Sequence, residues 1–368
     1  MKITQENILD ALKNIMEPDL HKPIVELGLV RDISINNNDV QLTVRVSNPA
    51  MHSKKRMEEA VEFALERAFG KELHPTIKIE AMEVHQDQPE LRKVLPGVKN
   101  IIAVASGKGG VGKSTVAANL AVGLAKKGFS VGMIDADVYG PSMPTMLDVE
   151  GEKPGVVEKN GKQLMTPVET YGIKLMSIGF FADPAQPIVW RGSMATKALN
   201  QLINDTYWGD LDFMIIDLPP GTGDVHLTMV QALPLTGAVI VSTPQKVALV
   251  DARKGVAMFQ LDNINVPILG IIENMAWFTP AELPNNKYYI FGKDGANELA
   301  EKLGIPVLGQ LPLIQSVRES GDVGRPAILQ ENTEINALMT GVVDEFIKQV
   351  DIRNATQPAT KKVQITHG

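Results

Sequence analysis

Apolar positions in the first 85 residues follow helical and strand spacing in turn. The predicted elements are a helix over residues 4–16, strands over 30–36 and 39–46, a helix over 54–69 and a strand over 76–84. The two strands before the second helix alternate apolar and polar residues across an Asn-rich turn, which is typical of a hairpin. The order α-β-β-α-β predicts a small α+β domain over residues 1–85.

The pattern changes at Ile101 to short apolar runs separated by helical segments. The predicted strands lie at 101–105, 130–135, 173–178, 213–217, 237–242 and 267–272. Such alternation is typical of a parallel sheet that is covered by helices on both faces. We therefore expect an α/β domain over residues 101–352, joined to the first domain by a linker at 86–100. A disordered tail is predicted over 353–368, where Pro, Thr, Lys and Gln recur.

Composition and charge narrow the range of partners. The 368 residues are 44% hydrophobic and 21% charged, and the net charge of -7 is spread along the chain. No basic patch is evident, so neither nucleic acid nor a membrane is expected as a main partner. The N-terminal residues enter a polar helical pattern without the apolar core of a signal peptide, and no long uncharged apolar stretch follows. We expect a cytoplasmic protein.

Cysteine is absent from the sequence. This absence excludes disulfides, thiolate metal ligands and cysteine nucleophiles from the chemistry of the chain itself.

A glycine-rich loop follows the first strand of the larger domain. It reads Gly107-Lys108-Gly109-Gly110-Val111-Gly112-Lys113-Ser114-Thr115 and fits the Walker A pattern between a strand and a helix. Glycines let the backbone wrap phosphate oxygens, and the helix N-terminus presents free N–H groups. Lys113 adds a cation and Ser114 a magnesium ligand. The loop, including Thr115, is the predicted nucleotide-binding segment, and the alternative is a glycine-rich turn that binds nothing.

Carboxylates follow two of the predicted strands. Asp135 and Asp137 come at the end of the strand at 130–135, and Asp217 ends the strand at 213–217. Because the carboxyl ends of parallel strands form the ligand-binding edge of an open sheet, magnesium and an attacking water are expected there. The alternative is that these carboxylates only cap strand ends.

Lys108 makes the loop more specific than an ordinary Walker A match. The run Lys-Gly-Gly-Val-Gly-Lys-Ser resembles the deviant P-loop ATPases related to MinD, ParA and the nitrogenase iron protein. That resemblance implies a homodimer in which Lys108 reaches the phosphates of the other subunit, as an arginine finger does. It also implies that Asp137 positions the attacking water and that Asp135 and Asp217 act around magnesium. Lys108, Lys113 and Asp137 are then the expected catalytic residues, with ATP and Mg²⁺ as cofactors.

A narrower resemblance covers residues 95–325. The runs that carry it are Leu95–Lys99, Asp137–Ser142, Val189–Gly192, Asp217–Asp224, Gly270–Met275 and Ile290–Gly292. Together they resemble the Mrp/ApbC family of iron–sulphur cluster carriers, with Asn274 and Pro312 implied as adenine contacts. The segment Pro23–Val30 and its hairpin resemble the MIP-type domain of iron–sulphur assembly. The expected partners are apo-protein clients or iron–sulphur assembly proteins.

The chain departs from that family at its cluster site. Most relatives carry a Cys-Xaa-Xaa-Cys pair in the interval that here runs from Ala276 to Tyr289, and this interval holds neither cysteine nor histidine. Met51-His52 likewise stands where relatives often have Cys-Pro. Because iron–sulphur clusters need thiolates, no iron–sulphur ligand is identifiable in the chain, and a cluster is implied by family resemblance only.

Three hypotheses remain open from the sequence. The first is an ATP-dependent factor that binds or transfers iron–sulphur clusters with thiolates from a partner. The second is a nucleotide-switched dimeric adaptor, for which Trp277-Phe278 and Tyr288-Tyr289 would offer an aromatic surface, unless they pack within their own subunit. The third is a MinD- or ParA-like positioning ATPase. The apolar helix predicted over 335–350 lacks the basic face that membrane attachment favours.

Overall fold

The chain forms two compact units, Met1–Pro89 and Glu90–Gly368, in a computed structural model. The structure describes residues 3–17, 22–36, 38–46, 51–70, 73–81, 94–159, 161–181, 192–261, 264–280 and 282–358.

The first unit packs two helices against a small sheet. Its elements are α1 Gln5–Leu12, β1 Met16–Glu17, β2 Lys22–Pro23, β3 Val30–Asn36, β4 Asp39–Val46, α2 Met51–Phe69 and β5 His74–Ala81. β3 and β4 pair antiparallel and β4 and β5 pair parallel. The apolar faces that the sequence predicted meet in one core, in which Ile8, Val44 and Val61 are fully buried.

The first predicted helix is too long at its C-terminal end. Thr4 caps α1 through its side-chain oxygen, which accepts the Asn7 N–H at 3.4 Å. The helix ends at Leu12 rather than at residue 16, because the Ile15 carbonyl accepts the Ile24 N–H at 2.8 Å and draws the next residues into the β1–β2 pair.

The second unit is an α/β structure. Its elements are β6 Val98–Ala105, α3 Lys113–Lys126, β7 Val131–Asp135, α4 Met143–Met146, β8 Gly155–Lys159, β9 Lys162–Thr166, β10 Val168–Thr170, β11 Ile173–Ser177, α5 Gly192–Asn204, β12 Leu211–Asp217, α6 Asp224–Ala232, β13 Gly237–Ser242, α7 Lys246–Phe259, β14 Ile268–Glu273, α8 Gly295–Leu303, β15 Val307–Gln310, α9 Gln315–Asp322 and α10 Glu334–Thr356. Within the described ranges, eight strands join in the order β10-β11-β7-β12-β6-β13-β14-β15. All neighbours pair parallel except β10 and β11, which are antiparallel.

The central strands are buried on both faces, as their continuous apolar runs predicted. In β6, Ile101 and Ala103 belong to the hydrophobic cluster on one face of the sheet. Ile102 and Val104 belong to the cluster on the other face. This alternation places helices on both sides of the sheet and confirms the predicted fold class.

Several element bounds differ from the sequence predictions. β6 begins at Val98, inside the predicted linker, and α10 continues to Thr356, so the tail predicted from Arg353 is wrong over its first four residues. The β8–β9 hairpin was not predicted because most of its residues are exposed and carry no apolar period. No helix in the described part of the chain is long and apolar enough to cross a membrane.

Candidate functional site

The glycine-rich loop connects the end of β6 to the first turn of α3. Gly110 and Gly112 have φ values of +81° and +82°, a backbone conformation that favours glycine. A Cβ atom on Gly112 would lie 2.2 Å from Nδ2 of Asn274, and one on Gly107 would lie 2.1 Å from the carbonyl carbon of Asp251 in α7. Close packing and backbone conformation therefore both require glycine in this loop.

Lys113 lies at the N-terminus of α3 and forms a buried cluster with two other side chains. Its Nζ lies 2.5 Å from Oδ1 of Asp217 at the end of β12, with 6% of the lysine side chain and none of the aspartate exposed. The Ser114 hydroxyl donates to Oδ2 of the same carboxylate at 2.6 Å. One carboxylate thus orients both the lysine and the hydroxyl of the loop.

Asp135 lies beside Asp217 because β7 and β12 pair in register at these two residues. Its carboxylate accepts the N–H groups of Asp137 and Met143 at 3.2 and 3.1 Å and the Ser177 hydroxyl at 2.9 Å. Both oxygens of Asp135 are therefore occupied by its own chain, and they order the segment that carries Asp137.

Burial governs the protonation of these carboxylates. Burial, together with the nearby charge of Asp217, raises the pKa of Asp135 to about 7. Burial also raises the pKa of Asp217, although the Lys113 ammonium opposes this effect. The pKa of the half-buried Asp137 is raised by burial as well, again against the charge of Lys113. The site therefore concentrates acidic groups whose negative charge is costly unless a cation is present.

Lys108 is exposed, in contrast to Lys113. Its backbone carbonyl accepts the Ser106 hydroxyl at 3.0 Å, which fixes the start of the loop. Thr115, the last residue of the predicted nucleotide-binding segment, lies in α3 and accepts the Asn119 side-chain amide at 2.8 Å through its carbonyl.

Asn274 and Pro312 lie beyond the ends of β14 and β15. The side-chain amide of Asn274 donates to the Val111 carbonyl at 2.9 Å, so this residue contacts the glycine-rich loop directly. Pro312 is buried, and its neighbour Leu311 accepts the Ala276 N–H at 2.9 Å through its carbonyl. The fold thus brings the loop and Asn274 together, with Pro312 beside the segment that follows Asn274.

The segment from 276 to 289 is anchored to the rest of the unit by backbone bonds. Phe278 and Tyr288 exchange two N–H···O bonds of 2.8 Å each, and the Leu313 N–H donates to Trp277 at 2.7 Å. Trp277 is only 8% exposed, with Nζ of Lys287 3.9 Å from its ring centroid. Trp277 therefore packs within its own subunit.

The two tyrosines of this segment behave differently from Trp277. Tyr288 and Tyr289 remain 45% and 41% exposed. They are thus available for contacts with another molecule.

Some sequence-selected positions lie outside the described residues. These are 82–93, with the end of the predicted strand at 76–84 and the start of the predicted linker; 182–191, with the Val189–Arg191 part of one run; Ala281; and 359–368 of the predicted tail. The side chains of Met51, His52 and Asp224 lie outside the described residues as well.

Two residues near the site had no role predicted from the sequence. Glu273, at the end of β14, accepts the Ala296 N–H at 2.5 Å and the Gln310 amide at 2.8 Å, a pairing that no local pattern announces. His226 in α6 lies 3.2 Å through Nδ1 from the Pro219 carbonyl. A signal for His226 was present, because it is the only histidine between residues 86 and 366 and it lies two residues after the Asp217–Asp224 run.

A glycine-rich loop after the first strand of a parallel sheet, with its lysine paired to a carboxylate on the neighbouring strand, defines a P-loop NTPase. Residues 97–347 match the family described as NUBPL iron-transfer P-loop NTPase, and residues 5–72 match one described as iron-sulfur cluster assembly protein. The chain therefore belongs to the NUBPL iron-transfer P-loop NTPase family. The predicted resemblance to iron–sulphur carriers is confirmed.

Individual relatives agree with this assignment. The chain is 41% identical over 351 residues to an iron-sulfur cluster carrier protein of Synechocystis sp., covering 95% of this chain and 99% of that protein. It is 49% identical over 270 residues to the iron-sulfur cluster transfer protein NUBPL of Dictyostelium discoideum, covering 73% and 82%. Among solved structures, a nucleotide-binding protein from Archaeoglobus fulgidus in complex with ADP is 38% identical, with a TM-score of 0.57, covering 66% of this chain and 91% of that one.

Proposed function

We propose that this protein is a magnesium-dependent ATPase whose nucleotide cycle serves the transfer of iron–sulphur clusters to apo-proteins. The observation that carries the proposal is the buried cluster of Lys113, Asp217 and Ser114 at the mouth of a glycine-rich loop. The family to which the chain belongs and the names of its relatives support the choice of cargo.

The residues present fit a nucleotide with its metal ion. Gly107 to Thr115 form a loop at the start of α3 in which Gly107 and Gly112 leave no room for a side chain, and Lys113 supplies a cation for phosphate oxygens. Ser114 and Asp217 offer the hydroxyl and carboxylate oxygens that Mg²⁺ prefers. When bound, the ion would neutralise charge on the phosphates. In our proposal Lys113 exchanges the Asp217 carboxylate for phosphate oxygens when ATP enters.

The three carboxylates have different roles in the proposed reaction. Asp217 acts in the magnesium region through its contact with Ser114. Asp135 acts in the same region by holding the Asp137 segment, because its two oxygens accept the N–H groups of Asp137 and Met143. Asp137 positions the attacking water, and its raised pKa favours proton acceptance.

Lys108 completes the site from a second subunit in this proposal. Its exposed side chain at the edge of the loop is free to reach a neighbouring copy of the chain, and a cation supplied across a homodimer would stabilise charge on the transferred phosphoryl group. Hydrolysis would then require dimerisation. Asn274 and Pro312 would contact the adenine base beside the loop, which fits the Asn274 contact with Val111.

The cluster itself is cargo whose ligands the chain does not supply. The sequence holds no cysteine, and thiolates are the ligands that iron–sulphur clusters require. A client or assembly protein must therefore provide the thiolates.

A second candidate function has its own observation. Leu283, Tyr288 and Tyr289 are 41 to 47% exposed in the segment that stands where relatives carry the cysteine pair, and Ile290 directly after it is 59% exposed. Exposed aromatic and aliphatic side chains together are typical of a protein-binding surface. A nucleotide-switched adaptor would use this surface without handling metal.

ATP hydrolysis by the purified full chain tests the proposal. We expect magnesium-dependent phosphate release that Lys113→Ala abolishes, because the loop then lacks its phosphate cation. Lys302→Ala, which removes an exposed lysine of α8, is the matched control and should hydrolyse at the wild-type rate. Equal hydrolysis by Lys113→Ala and the control would contradict the proposal.

A further inference from the structure

We propose that His226 is a positioning residue of the ATPase site, whose Nδ1–H holds the Pro219 carbonyl and thereby fixes the turn that follows Asp217. This inference rests on the proposed ATPase function and adds to it a residue outside the loop, the switch carboxylates and the adenine contacts.

The turn after Asp217 is poor in hydrogen-bond donors. Pro219 and Pro220 have no backbone N–H group, so the turn depends on the residues at its two ends. Leu218 donates to the Val104 carbonyl at 3.0 Å, and Gly221 donates to the Ser106 carbonyl at 2.9 Å. These bonds attach the turn to β6 and to the start of the glycine-rich loop.

The Pro219 carbonyl lies between those two anchors. Pro219 is buried, and a buried carbonyl without a donor is costly. Within the described residues, His226 meets this need with Nδ1 at 3.2 Å. Because a carbonyl only accepts, Nδ1 must carry the proton.

The surroundings of His226 keep its ring neutral. The residue is 2% exposed, its ring contacts that of Phe259 at 5.9 Å between centroids, and Nε2 is buried with no hydrogen-bond partner in the described part of the chain. Burial, assisted by the charge of Lys113, lowers the pKa of His226 to about 4. An apolar side chain at position 226 would fill this space without burying an unpaired nitrogen such as Nε2. The advantage of histidine at this position is therefore the hydrogen-bond donor at Nδ1.

The contact matters for the site because Asp217 lies two residues before Pro219. The Asp217 carboxylate orients both Lys113 and Ser114, so a shift of the turn would displace the acceptor shared by these two groups. His226 therefore acts through the turn and touches no reacting atom.

Two substitutions separate hydrogen bonding from packing. Asn places an amide N–H near the position of Nδ1, whereas Leu has a similar size and no donor. In the full chain we expect His226→Leu to lower kcat for ATP about tenfold with KM changed less than twofold, the pattern of a misplaced catalytic group rather than lost binding. His226→Asn should retain kcat within about threefold.

The histidine tautomer gives a readout that needs no turnover. Long-range ¹H–¹⁵N correlation spectra of the wild type should show His226 in the neutral Nδ1–H form, assigned by the signal that disappears in His226→Asn. The Nε2–H form would overturn the inference, as would a His226→Leu variant with wild-type kcat. A kcat as low in His226→Asn as in His226→Leu would also overturn the inference.

The same experiment separates this inference from the proposed function. A wild type without magnesium-dependent hydrolysis overturns the proposed function and this inference with it. An active wild type with an unimpaired His226→Leu variant overturns this inference alone.

Discussion

His226 should make the second unit lose stability as the pH falls from 7 to 5. Burial lowers its pKa to about 4 in the folded chain, whereas an unfolded histidine titrates near 6.5. Between these values the unfolded chain binds a proton that the folded chain does not, so the free energy of unfolding decreases as the pH decreases. The contribution of the neutral His226 to the free energy of unfolding is fully present above about pH 6.5. The two pKa values give a loss of about 2 kcal/mol at pH 5.

Urea unfolding at pH 7 and pH 5 measures this loss. All three tryptophans, Trp190, Trp208 and Trp277, lie in the second unit, so their fluorescence reports on that unit alone. His226→Asn removes the titration and keeps the donor, and it should lose about 2 kcal/mol less than the wild type.

Comparing the wild type with His226→Asn also cancels the contributions of groups that stabilise the folded chain as the pH falls. The pKa of Asp135 and that of Glu273 are raised, so these residues favour the folded chain at lower pH in both proteins. Equal losses in the wild type and His226→Asn would contradict a lowered pKa of His226 in the folded chain.

Three further predictions concern the loop, the partner subunit and the cargo. Lys108→Ala should bind ATP with wild-type affinity in equilibrium binding and lose hydrolysis, since in the proposed mechanism its cation acts on the transition state. Parallel loss of binding would contradict this prediction. Gly107→Ala should lower the free energy of unfolding by about 1–3 kcal/mol in urea denaturation, because its Cβ would lie 2.1 Å from the backbone of α7. The control Gly140→Ala places a Cβ where no atom lies within 4 Å, so it should change the free energy of unfolding by less than about 0.5 kcal/mol. After anaerobic reconstitution, iron and sulphide analysis should find no stoichiometric cluster on the wild-type chain, and Phe278→Cys with Ala281→Cys should restore binding. A stoichiometric cluster on the wild type would refute the thiolate argument.

Much of the second unit was predictable because its signals are local. The apolar runs at β6, β7, β12, β13 and β14 were located within about three residues, since strands buried on both faces need apolar side chains at nearly every position. The exposed β8–β9 hairpin and the short β15 lack that requirement and were missed. The end of α1 was misplaced because a backbone bond between Ile15 and Ile24, and not helix propensity, decides it.

Some features of the candidate site could likewise be predicted from local sequence, and others could not. The glycine-rich loop, the two lysines and the strand-end carboxylates could be located from the sequence alone. The backbone freedom of glycine and the position at a strand end depend on neighbours in the chain. Only the tertiary structure paired Lys113 with Asp217, 104 residues away, and Asn274 with Val111, 163 residues away. The order of strands in the sheet decides these contacts, and that order depends on the packing of the whole core rather than on any local pattern. His226 shows the same limit at short range: its position next to the turn was visible in the sequence, but its role as a donor depended on the burial of the Pro219 carbonyl, which folding alone produces.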